Sequence, residues 1–136
     1  GKIVSLVENY LQWSKEFMRW SWAVAIGSNE EADGAVNMAI VKRIPNWREK
    51  YPAFAWCADL GEGWYLPAIN ELKSIYDNKD IVNTQLKIAG ETLKGCYWSS
   101  NEYKSVETCA CYVAMSDGVL NTSKLINYSV RAVSAF

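Results

Sequence analysis

Histidine is absent from all 136 residues. That removes the commonest general base near neutral pH, the Ser-His-Asp and Cys-His constellations, and the commonest zinc ligand. A dominant charge is missing too, since 14 Lys and Arg stand against 15 Asp and Glu, for a formal net charge of −1 and a pI near 5.5. With no basic footprint to neutralise phosphates, the composition argues against generic DNA or RNA binding. No apolar run approaches the roughly 20 residues that span a bilayer, because Arg, Lys or Asp interrupts every candidate. There is no Cys-x-x-Cys ribbon, no third glycine after Gly61-Glu62-Gly63, and no Gly-Lys-Ser/Thr run, so a nucleotide-dependent enzyme finds no support. Internal repeats, low-complexity tracts and linkers are also lacking.

What is present is a chain that is 50% hydrophobic, long enough for one domain with a core and too short for two. Residues 1–136 are therefore read as a single domain. The start Gly1-Lys2-Ile3-Val4 carries neither an initiator Met nor a signal peptide, and reads as a segment of a longer protein whose export signal or anchor lies elsewhere. Cys57, Cys96, Cys109 and Cys111 permit three pairings, which sequence leaves open. Cys109 and Cys111 share one strand face, a spacing that strains a direct bridge.

The elements follow from periodicity and punctuation. Ile3 to Val7 is β-prone and leads into an aromatic-rich loop containing Trp13, Phe17, Trp20 and Trp22. Asp33 caps a helix carrying Val36, Ile40 and Ile44 and running to about Pro45. Pro52 opens a second helix through Cys57, and Pro67 a third that places Ile69, Leu72, Ile75 and Tyr76 on one face. Asn83 or Thr84 caps a further turn or two with Leu86 and Ile88. Strands are expected at Cys96 to Ser99, Thr108 to Met115, Val119 to Ser123 and Ser129 to Ala135, with Ser116-Asp117-Gly118 as a hairpin turn. The order predicts an α+β domain, an antiparallel sheet with two to four short helices, in which the sheet brings the chain ends together.

Two blocks are more specific. Trp64, Leu66, Pro67, Glu71 and Leu72 form a Trp-x-Leu-Pro-x-x-x-Glu-Leu pattern. Tyr97, Trp98, Ser99, Ser100 and Glu102 then precede a terminal Val130-Arg131-Ala132-Val133. Together they resemble the bacterial domain family typified by the C-terminal domain of a collagen-like surface adhesin, across nearly the whole chain. The resemblance implies a C-type-lectin-like fold and a non-catalytic, extracytoplasmic adhesion or ligand-binding module on a bacterial surface or periplasmic protein. Its partner would be a glycan or a host or bacterial surface protein. The chain departs from the family pattern at Met38, where a Thr is usual, at Cys111, where an aromatic is common, and at Ala114 to Met115.

Within that frame Trp64 and Trp98 read as core, and Ser99 and Ser100 as partners for backbone groups, not nucleophiles. Arg131 should pair with an internal carboxylate, Glu71 or Glu102. The ligand-binding candidates are Asn101, Glu102, Tyr103, Lys104, Asp117, Asn121, Lys124, Asn127 and Tyr128, whose amides, charges and phenol rings suit hydroxyls and sugar or peptide faces. No catalytic or metal residue is assigned. The Ca²⁺-binding triplets of sugar-binding C-type lectins are absent, and Asn29, Glu30, Glu31 and Asp33 read as a solvated acidic loop. Two alternatives remain: an oxidase resembling the formylglycine-generating enzymes, using Cys109 and Cys111 with copper, and a structural module for fibre assembly.

Overall fold

In an extended strand, neighbouring side chains leave on opposite faces, and Tyr97 and Trp98 use this to feed two separate cores. The computed structural model describes residues 1–15 and 25–136. Phe17, Trp20 and Trp22 lie outside the described residues. Tyr97 joins Ile69, Leu72, Leu86, Leu93 and Val113 on one side of the sheet. Trp98 joins Trp13, Phe54, Leu66 and Val130 on the other.

Among the described residues two sheets form, in the orders β1-β8-β3 and β2-β7-β4-β5-β6. The strands are β1 Lys2–Val4, β2 Asn9–Gln12, β3 Trp64–Tyr65, β4 Cys96–Glu102, β5 Cys109–Ala114, β6 Gly118–Ser123, β7 Asn127–Val130 and β8 Val133–Ala135. Pairing is antiparallel except between β4 and β7, where Tyr97 lies beside Ser129 in parallel. The helices are α1 Gly34–Val41, α2 Trp47–Lys50, α3 Pro52–Asp59, α4 Ile69–Asp77 and α5 Lys79–Leu86, followed by a 3₁₀ turn at Lys87–Ala89. Helices α1 and α3 lie against β4 and β2, while α4 packs on β4, β5 and β6.

The α+β class and the meeting of the chain ends hold: the Gly1 ammonium donates to Phe136 O at 3.2 Å, and Phe136 N–H donates to Gly1 O at 3.0 Å. The predicted final strand does not run unbroken. It splits at Arg131-Ala132 into β7 and β8, which serve different sheets. β1 and β2 make the matching corner at Ser5 to Glu8, where Ser5 N–H donates to Ala132 O at 2.8 Å and Ala132 N–H to Ser5 Oγ at 3.0 Å. β2 falls where the sequence suggested loop, α2 is an additional helix beyond the two to four expected, and α5 begins four residues before Asn83. All four cysteines are free thiols.

Asp33 caps α1 as expected, its Oδ1 accepting from the Ala35 N–H at 2.9 Å. The helix stops at Val41, short of Pro45. Gly34 opens it because a Cβ there would stand 2.3 Å from Leu66 O and 2.7 Å from Ala68 N, so only glycine lets α1 seat against the Leu66-Pro67 turn.

Candidate binding surfaces

The polar residues of the two signature blocks are spent inside the molecule. Glu71 gathers Gly34 N–H at 2.6 Å, Ala68 N–H at 3.0 Å, Tyr65 Oη at 2.7 Å and the Lys2 ammonium. Burial alone would raise its carboxyl pKa, but these donors outweigh burial and hold it below the ordinary value. The bond to Glu71 in turn raises Lys2 above the usual ammonium range. Burial and the Glu71 bond push Tyr65 up to about 12. Asn37 Nδ2 donates to Ser100 Oγ at 2.8 Å and to Glu30 O at 2.7 Å, and Ser99 Oγ donates to Cys111 O at 2.8 Å. The serines are thus structural partners.

Several predicted ligand contacts belong to this interior. Asn101, Glu102 and Lys124 are only 3%, 5% and 2% exposed, so their placement on an open loop surface is corrected. Asn101 Oδ1 accepts from the Ile69 N–H at 2.7 Å and its Nδ2 donates to Glu30 O at 3.0 Å. Glu102 accepts from Ile26 and Gly27 N–H groups at 2.8 to 2.9 Å and from Lys124 Nζ at 2.6 Å. The Lys124 ammonium also lies 4.7 Å from the centre of the Trp13 ring. Burial pulls its pKa below the ordinary ammonium value against the opposing pull of Glu102. The physical reason is that β4 runs on through Glu102 rather than ending at Ser99, and residues 25–30 close over it.

Arg131 is likewise buried, but its partner is neither Glu71 nor Glu102. Nη2 donates to Glu8 Oε2 at 2.6 Å, and Nη1 donates to Ser5 O at 2.6 Å and Leu6 O at 2.9 Å. Glu8 Oε2 also accepts from Tyr97 Oη at 2.7 Å. Arg131 therefore clamps one sheet corner to the other.

The remaining candidates do not assemble into one site. Tyr103 and Lys104 sit at the end where Cys109 pairs with Ser123, whereas Asp117 lies in the turn beyond the Ala114 and Gly118 pair. Those ends are separated by five strand steps, about 17 Å. Asn121, opposite Cys111, and Leu120, opposite Tyr112, fall on opposite faces of β6. Asn127 is exposed and pairs with Gln12 on β2.

Tyr128 is different. Its ring lies 4.5 Å from that of Tyr112 and 5.0 Å from that of Trp98, and Tyr112 meets Trp98 edge-on at 6.1 Å. Both tyrosines are half-buried, so they form a fixed aromatic shelf on the five-stranded sheet, rimmed by Leu120 at 41% exposure. Burial, then the Tyr112 hydroxyl, raises the Tyr128 phenol to about 12. Sequence reasoning overlooked Tyr112; its signal was the cross-strand alignment with Trp98, visible only once the register is known.

A second surface had no motif to announce it. A cavity of about 740 Å³ opens between β1 and the α4–α5 pair, walled by Ile3, Leu6, Ile75, Ile81, Val82 and Val133. Neutral polar groups from Asn70, Ser74, Asn78 and Gln85 share its lining. The acidic loop offers less: Glu30 Oε1 accepts from Ala32 N–H at 2.8 Å and Asp33 caps α1. Among the described residues no group of three or more His, Cys, Asp or Glu side chains is placed to hold a metal ion.

These features define a class: an α+β domain whose signature residues stitch loops and corners together inside the fold. The chain belongs to the Lcl C-terminal domain family, which matches residues 3–134. That membership points to a surface-associated domain of a collagen-like adhesin. No curated protein matches the chain. No helix among the described residues is long and apolar enough to cross a membrane.

Proposed function

We propose that the domain is a non-catalytic, extracytoplasmic binding module of a bacterial surface protein, C-type-lectin-like in fold, and that it receives a glycan on the Tyr112–Tyr128 shelf. The carrying observation is that shelf: two half-buried rings held 4.5 Å apart over a buried tryptophan. Rigid rings offer apolar area to the C–H face of a sugar at little entropic cost, and their hydroxyls meet its polar edge. The surface-adhesin family supports the surface placement in this reading. This reading assigns no role to Ca²⁺.

The oxidase alternative rests on Cys109 and Cys111, and their surroundings do not favour it. Burial pushes the Cys111 thiol up, away from the thiolate that metal binding needs. Its sulfur also points a weak 3.8 Å hydrogen bond at Glu102 O.

The test is a glycan array probed with and without Ca²⁺. A Tyr112→Phe, Tyr128→Phe double variant keeps the packing and removes the hydroxyls, and Leu120→Asp charges the rim. Both should weaken binding at least tenfold, while Asn121→Ala on the other face of β6 should leave it unchanged. Silence of the wild-type domain across the array would reject a glycan ligand and transfer the role to a protein partner.

A further inference from the structure

Among the described residues β1 has one neighbour, β8, so its other edge is open. The bonds to β8 fall at alternate residues, at Gly1 with Phe136 and at Ser5 with Ala132. An antiparallel ladder alternates groups that face the partner with groups that face away. The backbone N–H and C=O of Lys2 and Val4 therefore point to the open side.

The 740 Å³ cavity lies along that edge. Its volume falls in the range of about 300–1,000 Å³ typical of ligand sites. Ile3, Leu6 and Ile81, which line it, remain 46%, 57% and 66% exposed and give it an apolar rim. Its charges are already matched: Lys2 and Glu71, the ionisable residues lining it, are bonded to each other. The wall thus complements uncharged side chains and would penalise a charged one.

We propose that this groove binds an extended, uncharged, apolar peptide segment of another protein, which pairs with the outer edge of β1 and places alternate side chains in the cavity. Strand addition explains the two observations together, because the open edge supplies backbone hydrogen bonds and the adjacent hollow supplies side-chain selectivity. An acyl chain would fill the hollow and leave Lys2 and Val4 to water. This surface is distinct from the tyrosine shelf, and its occupation does not depend on a glycan.

The probe is an N-acetylated, C-amidated heptapeptide alternating threonine with valine and isoleucine, labelled for fluorescence anisotropy against the whole chain. Saturable binding is expected, with amide exchange slowing at Lys2 and Val4. Ile81→Asp, a change at an exposed position that leaves the fold intact, should weaken binding at least tenfold. N-methylation of alternate peptide amides should do the same. The proposal is overturned if the heptapeptide shows no saturable binding up to about 1 mM, or if the N-methylated peptide binds equally well. It is also overturned if a neutral long-chain alcohol competes fully while Lys2 and Val4 exchange as before.

Discussion

Tyr97 shows how much a single hydroxyl carries here. Its ring is 1% exposed, its Oη donates to Glu8 Oε2 at 2.7 Å, and it accepts from the Lys94 N–H at 3.1 Å. Burial, followed by the bond to Glu8, raises the phenol from 10.0 to about 12. The native state keeps this proton where the unfolded chain would release it. The resulting stabilisation is complete below about pH 10 and is lost as pH rises through about 12. A shift of this size corresponds to about 2–3 kcal/mol. Tyr97→Phe should flatten that part of the base-induced fall in stability by about this amount, read from urea unfolding between pH 9 and 12. An unchanged slope would mean that burial and Glu8 do not raise the phenol in the native state. The same scale shows why the candidate site was only partly legible. Asn101, Glu102 and Lys124 look like loop residues because they are polar and lie just past the strands expected at Cys96 to Ser99 and Val119 to Ser123. Their burial is decided by residues 13, 25–30 and 69, which sequence does not place beside them.

At the scale of elements, the Asp33, Pro52 and Pro67 signals found α1, α3 and α4, but only α4 buries the apolar face read for it: α1 buries Asn37, Met38 and Val41, while Val36 is 44% exposed and Ile44 lies past the helix end. Periodicity misplaced the start of α5, where Asn78 makes no side-chain cap bond and Ile81 is 66% exposed. It also fused β7 with β8, since Ser129 to Ala135 holds no Gly, Pro, Asn or Asp to mark the change of sheet. Gly34 is where local preference and packing conflict. Alanine is the better helix former by up to about 1 kcal/mol, yet its Cβ would stand 2.3 Å from the Leu66 carbonyl oxygen, a backbone atom that cannot swing aside. Overpacking of this kind costs about 1–3 kcal/mol, and a contact this short belongs at the upper end, so packing wins. Gly34→Ala should lower stability by about 2 kcal/mol, measured as a shift of the denaturation midpoint at constant m-value. A stabilised variant would show that α1 can lift off the Leu66-Pro67 turn at little cost.

At the scale of the whole molecule, the family signature was legible because it is architectural. Trp98, Glu71, Glu102 and Arg131 hold distant segments together, and their chemistry and spacing follow from that task. The tyrosine shelf and the β1 groove carry no such requirement, so neither shows a motif. Arg131 is the clearest test of the division. It sits at the turn between β7 and β8 and binds the opposite corner through Ser5 O, Leu6 O and Glu8, so it joins the three-stranded sheet to the five-stranded one. Lysine would preserve the charge but has no planar fork to reach two carbonyls and a carboxylate at once. Arg131→Lys should therefore destabilise the domain by about 3 kcal/mol, the range for disrupting a buried charged network. The loss should also be uneven. Hydrogen exchange should accelerate first at the amides of β1 and β8, whose sheet depends on the clamp. The amides of β4 and β5, held between the two cores, should retain their protection until global unfolding. Uniform acceleration across both sheets would show that the corners and the central strands open as one unit, and that Arg131 supports the fold as a whole rather than joining two separable parts.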